Sequence, residues 1–359
     1  MLNYFIYKIF EPMSVFILII LLVSIMNQSN QLYIGCLTAV RYLSKITNRV
    51  GIIMTTLLIV GLIPIRNKAL IGAPIMKEIG MMVNMKKFNN ASVSFFGGHM
   101  HYMTSPLSSS LALIMTMGAV SFPDLLFKGG LWIPAVIWGI LAMVQIRFNK
   151  DGDFIEFVKI NFKMNNIPIR GLLGLLPIVT IFILTLIFNL HFRTAVLSAI
   201  AVSIIVYLFN RKIDNINFPS ISIKDIFLSM DWKLIFIIFS ILNISTAINE
   251  FGGIADRIPH TSILLYAFLI GIICGSSSMT VAIAMGIFGS IVIGNPALVA
   301  QMYLSCFLGY ILSPVHRCIF INAKIFEQNL LKLYIMNIII CIIVGGLGFL
   351  ALSFFAPLI

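Results

Sequence analysis

The residues of this chain that could do chemistry are few and sit inside apolar sequence. Gly275-Ser276-Ser277-Ser278, followed by Thr280, supplies hydroxyls and, where a helix is interrupted, free backbone amides. A half-helix starting at such a tip directs the positive end of its dipole outward, which suits a carboxylate, and unwound carbonyls nearby would suit Na⁺. The competing reading is that small residues there let helices pack closely. Two Ser-Pro pairs, Ser105-Pro106 and Ser313-Pro314, carry a second signal. Proline lacks a backbone donor and frees a carbonyl one turn earlier, so each pair should kink or unwind a helix. Arg66 and Asn67, beside Lys68, form a possible anion contact after Pro64, unless that tip lies nearer the surface. Arg317 is either a second anion contact or an anchor that snorkels. His316, together with His99 and His101 ahead of the first Ser-Pro pair, could relay protons, His101 and His316 being the coupling candidates, because imidazole changes charge near neutral pH. Packing is the plainer role for each.

Enzyme signatures are poor. There is no HExxH, no GxSxG and no carboxylate pair within an apolar segment, and Glu78 and Glu250 fall near expected helix ends. Cys36, Cys274, Cys306, Cys318 and Cys341 are scattered, without a CxxC pair or a His cluster at metal-ligand spacing, and read as packed thiols. The expectation is a protein that is not an enzyme, with no metal and no cofactor beyond a coupling H⁺ or Na⁺. Asn90-Ala-Ser92 and Asn243-Ile-Ser245 match the glycosylation pattern but fall in cytoplasmic or embedded sequence.

What must position these residues follows from composition. The chain has 359 residues, 60% hydrophobic and only 10% charged, with a mean hydropathy of +1.06. Soluble domains carry about 25% charged residues, so a cytosolic enzyme or nucleic-acid module is excluded and a bilayer is the expected solvent. The net charge of +12 then reads as the positive-inside bias of membrane loops, with no nucleic-acid partner. Apolar stretches fall at 12–27, 51–65, 92–120, 131–146, 171–189, 195–209, 233–249, 261–293, 296–320 and 333–356. The first is expected to stay as a helix, since no cleavage site follows it. Segment 51–76 is cut by Gly61, Pro64, Gly72 and Pro74, and 261–293 by Cys274 to Ser278, so each is expected to form two half-helices around a polar tip.

With 147–170 placed in the cytoplasm and the two cut segments treated as re-entrant, the inside segments 28–50, 77–91, 147–170, 210–233 and 318–332 collect 17 of the 24 Lys and Arg. Both termini then fall outside, the first hairpin opens from the cytoplasm and the second from the other side. Tyr102-Met-Thr-Ser-Pro-Leu107 resembles Tyr310-Ile-Leu-Ser-Pro-Val315, at similar spacing from Gly61 and Gly271. The expected fold is an all-α polytopic membrane protein of two inverted repeats, 1–146 and 171–359, joined by a cytoplasmic connector at 147–170. Each repeat holds a re-entrant helical hairpin and a broken transmembrane helix. Amphipathic stretches at 32–50 and 221–232 are expected to lie along the membrane.

Ser313-Pro-Val-His-Arg-Cys318 with Lys324-Ile-Phe326, and Gly61-Leu-Ile-Pro64 followed by Gly72-Ala-Pro74, resemble an uncharacterised family of prokaryotic integral membrane proteins, domain of unknown function 401. That family is placed in the ion transporter superfamily with gluconate, citrate and dicarboxylate permeases. The resemblance spans about 51–335. It implies elevator-like movement of small anions coupled to H⁺ or Na⁺, a site at Pro64, Ser276 to Ser278, Ser105-Pro106 and Ser313-Pro314, and a homodimer. This chain departs from the pattern at the first tip, where Ile65-Arg66-Asn67-Lys68-Ala69 replaces an expected Pro-Gly-Gly-Ala turn. The functional expectation is a multi-pass cell-membrane permease for a small organic anion. A non-transporting assembly protein is the alternative, ahead of a membrane-embedded enzyme.

Overall fold

Apolar sequence punctuated by glycine and Ser-Pro gives helices that start and stop inside the molecule. The computed structural model describes residues 2–43, 49–62, 68–82, 85–147, 169–211, 220–250, 259 and 262–354. Pro64, Arg66 and Asn67, and most of the 147–170 connector, lie outside the described residues. The helices, in order, are α1 (Leu2–Gln28), α2 (Gln31–Leu43), α3 (Arg49–Leu62), α4 (Lys68–Met82), α5 (Lys87–Thr104), α6 (Ser109–Met117), α7 (Trp132–Arg147), α8 (Leu176–Phe182) and α9 (Phe192–Arg211). They continue with α10 (Ile223–Ser229), α11 (Trp232–Glu250), α12 (Ile263–Cys274), α13 (Ser277–Val292), α14 (Pro296–Leu312), α15 (Arg317–Ile325) and α16 (Leu330–Leu352). No strand occurs among the described residues.

Among the described residues, three stretches are long and apolar enough to cross a bilayer unaided: Ile169–Ile187, built from a 3-10 turn, α8 and a π turn, then Phe192–Arg211 and Leu330–Leu352. Two bent pairs raise the number to five: Met13–Gln28 with Gln31–Val40 at 71°, and Pro296–Leu312 with Arg317–Ile325 at 45°. α12 and α13 are shorter, at 12 and 16 residues. At 1.5 Å per residue they reach ~18 and ~24 Å, less than the ~30 Å hydrocarbon layer. The outward faces of the long helices are apolar, with Ile187, Ile205 and Ile342 each more than 60% exposed. Gln301, Ser305 and Asn337 are buried inside. These apolar outer faces are compatible with a lipid solvent.

Breaks occur where local chemistry demands them. α5 ends at Ser105, which is extended (φ −114, ψ 118), and α14 ends at Ser313 (φ −61, ψ 129). α12 closes on Gly275 in the left-handed conformation (φ 56), which only a residue without Cβ adopts cheaply. The cut segment 51–76 gives two helices, α3 and α4, but Gly72 and Pro74 do not interrupt the chain and lie inside α4. A proline in a helix removes one bond of the ladder, and neighbouring helices can compensate for that loss. The bend after α1 is held from both sides. Ser29 Oγ donates to the Ile25 carbonyl at 2.7 Å, and Gln31 exchanges hydrogen bonds with Ser203 of α9. The 221–232 stretch forms α10, opened by a capping box between Ser222 and Asp225.

Segments 77–91 and 318–332, both expected on the cytoplasmic side, meet at one end of the bundle. Lys77 Nζ donates to the Ile325 carbonyl at 2.8 Å and lies 3.6 Å from Glu327, while Lys87 pairs with Glu327 at 2.9 Å. The Lys87 ammonium, helped by Lys77, holds the Glu327 carboxyl below its usual range. A lowered carboxylate contributes stability that is complete above its ordinary pKa, about 4, and is lost as pH falls through the lowered value. In acid melts of wild type against Glu327→Gln, the two curves should converge as Glu327 protonates and separate above it. A constant separation would remove this role. The Asn90 glycosylation match falls on a buried side chain, whose Nδ2 donates to the Met76 carbonyl at 2.9 Å and ties α5 to α4.

Candidate functional site

A cavity of about 840 Å³ opens where the breaks meet. α12 lies along α14 because Gly271 and Gly309 leave no side chain between the backbones: a Cβ on Gly271 would stand 2.7 Å from the Tyr310 nitrogen. α3 approaches α5 the same way, with a Cβ on Gly61 placed 3.3 Å from the Gly97 carbonyl and close to His101. Each contact falls three or four residues before a Ser-Pro break, at Tyr310 before Ser313 and at His101 before Ser105. Across the gap, Ser109 and Ser278 are 2.6 Å apart through their hydroxyls, and Tyr102 and Tyr310 are 3.4 Å apart.

Three helices begin at the cavity wall. α6 starts from Ser108, α13 from Ser276 and α15 from His316, and none of these three residues makes a side-chain hydrogen bond capping its helix. Ser108, Ser109, Ser276, Ser277, Ser278, His316 and Arg317 all line the cavity. First-turn backbone amides of a helix have no intrahelical partner, so three such ends converging on one space form a polar, electropositive pole. Arg317 and Asp231 are the charged carboxylate or guanidinium side chains lining it among the described residues.

The expected site residues divide into two groups. Ser276, Ser277, Ser278, His101, His316 and Arg317 line the cavity. Ser105, Pro106, Thr280, Ser313 and Pro314 do not; they shape its wall. Thr280 Oγ1 donates to the Ser276 carbonyl at 2.8 Å, and Ser313 Oγ donates to the Ile272 carbonyl at 2.7 Å. Ser105 and Ser313 each accept from the amide two residues on, Leu107 at 3.3 Å and Val315 at 3.4 Å, so the two breaks share this hydrogen bond. Pro64, Arg66 and Asn67 lie outside the described residues.

Ser108, Ser109, Tyr102, Tyr310, Asp231 and Cys318 join the lining without having been expected there. For the serines the signal was present: Ser108-Ser109-Ser110 follows its Ser-Pro break as a second serine triplet. His99 and His316, both buried, meet with their Nε2 atoms 3.1 Å apart.

A family model described as "Protein of unknown function (DUF401)" matches residues 1–355. Among curated proteins no match is found.

Proposed function

The chain belongs to the DUF401 family, and from that premise we propose that it is a polytopic cell-membrane protein acting as a secondary active transporter of a small organic anion. Transport is coupled to H⁺ or Na⁺ and works by alternating access, with both termini outside. The observation that carries this reading is the convergence of three uncapped helix N-termini and Arg317 on one 840 Å³ cavity. A site of this kind replaces part of a carboxylate's hydration with fixed amides and hydroxyls, yet commits only one guanidinium. Release therefore stays possible, as transport requires.

The mirrored construction supports a pair of inverted repeats. Tyr102 and Tyr310 are equivalent positions in the two matching segments, and their hydroxyls meet. Residues that touch their own equivalents lie near a two-fold axis, and inverted-repeat transporters hold their substrate near that axis. The short α12 and α13, joined at Gly275, suit a re-entrant hairpin whose tip reaches mid-membrane.

The test is thermal stabilisation of the purified full-length protein by mono-, di- and tricarboxylates, with and without Na⁺, at two pH values. One carboxylate class at 100 times its Kd should stabilise by ~2.7 kcal/mol, with a response to Na⁺ or pH. Ser277→Ala should weaken that ligand's binding by about fivefold, corresponding to one lost hydrogen bond. Stabilisation by no carboxylate under any condition would overturn the anion reading and favour a non-transporting assembly role.

A further inference from the structure

Three ligand-type side chains come together on the cavity wall: His99 of α5, and His316 and Cys318 at the start of α15. One donor atom from each lies within 4.8 Å of the others. His99 and His316 are 4% and 2% exposed, Cys318 is half-buried, and all three line the cavity.

The hydrogen bonds determine which atoms face inward. His99 Nδ1 is 2.6 Å from the Phe95 carbonyl, and His316 Nδ1 is 3.5 Å from the Ile311 carbonyl. In the tautomer that both carbonyl contacts favour, each Nδ1 carries the ring proton and each Nε2 presents a lone pair. Those two Nε2 atoms are the pair 3.1 Å apart. Two lone pairs aimed at each other repel, and a cation bound between them reverses the sign of the contact. The spacing fits one: at metal–nitrogen distances of about 2.0–2.1 Å, the edge of a tetrahedron is about 3.3 Å. Histidines that bind metals characteristically donate the other ring N–H to a backbone carbonyl or carboxylate, as both rings do here.

We propose that His99 Nε2, His316 Nε2 and Cys318 Sγ form a binding site for a borderline transition-metal ion of the Zn²⁺ class. Two imidazoles and one thiolate suit such an ion and are unsuited to Mg²⁺ or Ca²⁺, which take oxygen ligands. On binding, the Cys318 thiol releases its proton to solvent and its Sγ rotates inward to complete the third bond. The fourth position faces the cavity, where water or an anion completes the tetrahedron. The bound site carries a net charge of +1, from a divalent ion and one thiolate.

The experiment uses the full-length protein in detergent, stripped with a chelator and titrated with Co²⁺ alone as the optical probe. The expected result is one equivalent bound, a thiolate-to-cobalt charge-transfer band, intense tetrahedral ligand-field bands and displacement by Zn²⁺. Cys318→Ser should abolish the charge-transfer band and weaken binding about tenfold or more, and Cys274→Ser, which changes the other cysteine lining the cavity, should do neither. His316→Gln should weaken binding similarly. Melts of the metal-free variants show that each remains folded, and Cys318→Ser, the smallest change, carries the result if a histidine variant does not. No binding, a weak octahedral spectrum, or a charge-transfer band that survives Cys318→Ser would each overturn the proposal. No carboxylate is present, so this result is separate from the transport reading.

Discussion

Replacing Gly309 with alanine should cost ~3 kcal/mol or more of stability, whereas the same change at Gly346 should be neutral or stabilising by up to ~1 kcal/mol. A Cβ on Gly309 runs into the Phe268 carbonyl, and its other near neighbours are also backbone, including the Gly271 Cα at 3.1 Å. Backbone cannot rotate away as a side chain can, so α12 and α14 must separate along their contact. Separation would also disturb the Ser305 hydroxyl bond to the Leu264 carbonyl and the Ser313 bond to Ile272, which hold the hairpin beside the second break. Gly346 on α16 has nothing within 4 Å of a built Cβ, so alanine there adds helix propensity without collision. Melting temperatures of the two variants in one detergent decide the matter. Equal melting would show that α12 and α14 are not held by this contact.

The features legible in the sequence are those whose cause is local. Ser105-Pro106 and Ser313-Pro314 end helices because proline removes a donor wherever it stands. Gly275 ends α12 because few other residues take a positive φ. The amphipathic stretch at 221–232 contained its own capping box. Pro74 shows the limit of local reasoning, since it lies inside α4 where tertiary packing outweighs its breaking tendency. The assembled site depended on contacts far apart in the chain. His99 and His316 are separated by 217 positions, so no spacing rule for metal ligands could pair them. Asp231 was read only as part of a surface helix, and its place on the cavity wall follows from where α10 and α11 dock.

Two similar helix packings join these two levels. Each half offers a glycine that lets one helix lie on another, and then a Ser-Pro break within the second of those helices. Gly61 meets α5 near Gly97 and His101, and Gly271 meets α14 near Cys306 and Tyr310. These contact points are offset by 209 positions and the Ser-Pro pairs by 208. Tyr102 and Tyr310, from the two matching segments, both line the cavity.

Arg317→Glu should change stability and binding in opposite directions. Arg317 is the first residue of α15, where a cation opposes the positive end of the helix dipole. No ion pair to it occurs among the described residues. Helix energetics therefore do not explain an arginine at this position. Replacing it with glutamate should leave the ligand-free melting temperature unchanged, or raise stability by ~0.3–1 kcal/mol, because the charge now suits the dipole. In the presence of the stabilising carboxylate, loss of one charge-assisted hydrogen bond corresponds to ~1.5–3 kcal/mol, about 10- to 150-fold in affinity. Asp231 on the same cavity adds to the repulsion an incoming anion would meet. Arg317→Lys should fall between, keeping the charge and losing the planar fork that matches a carboxylate. The measurement is a carboxylate titration read by thermal stability across wild type, Lys and Glu. If all three bind alike and only lipid dependence changes, Arg317 is a headgroup anchor and the anion is held by the serines and amides alone.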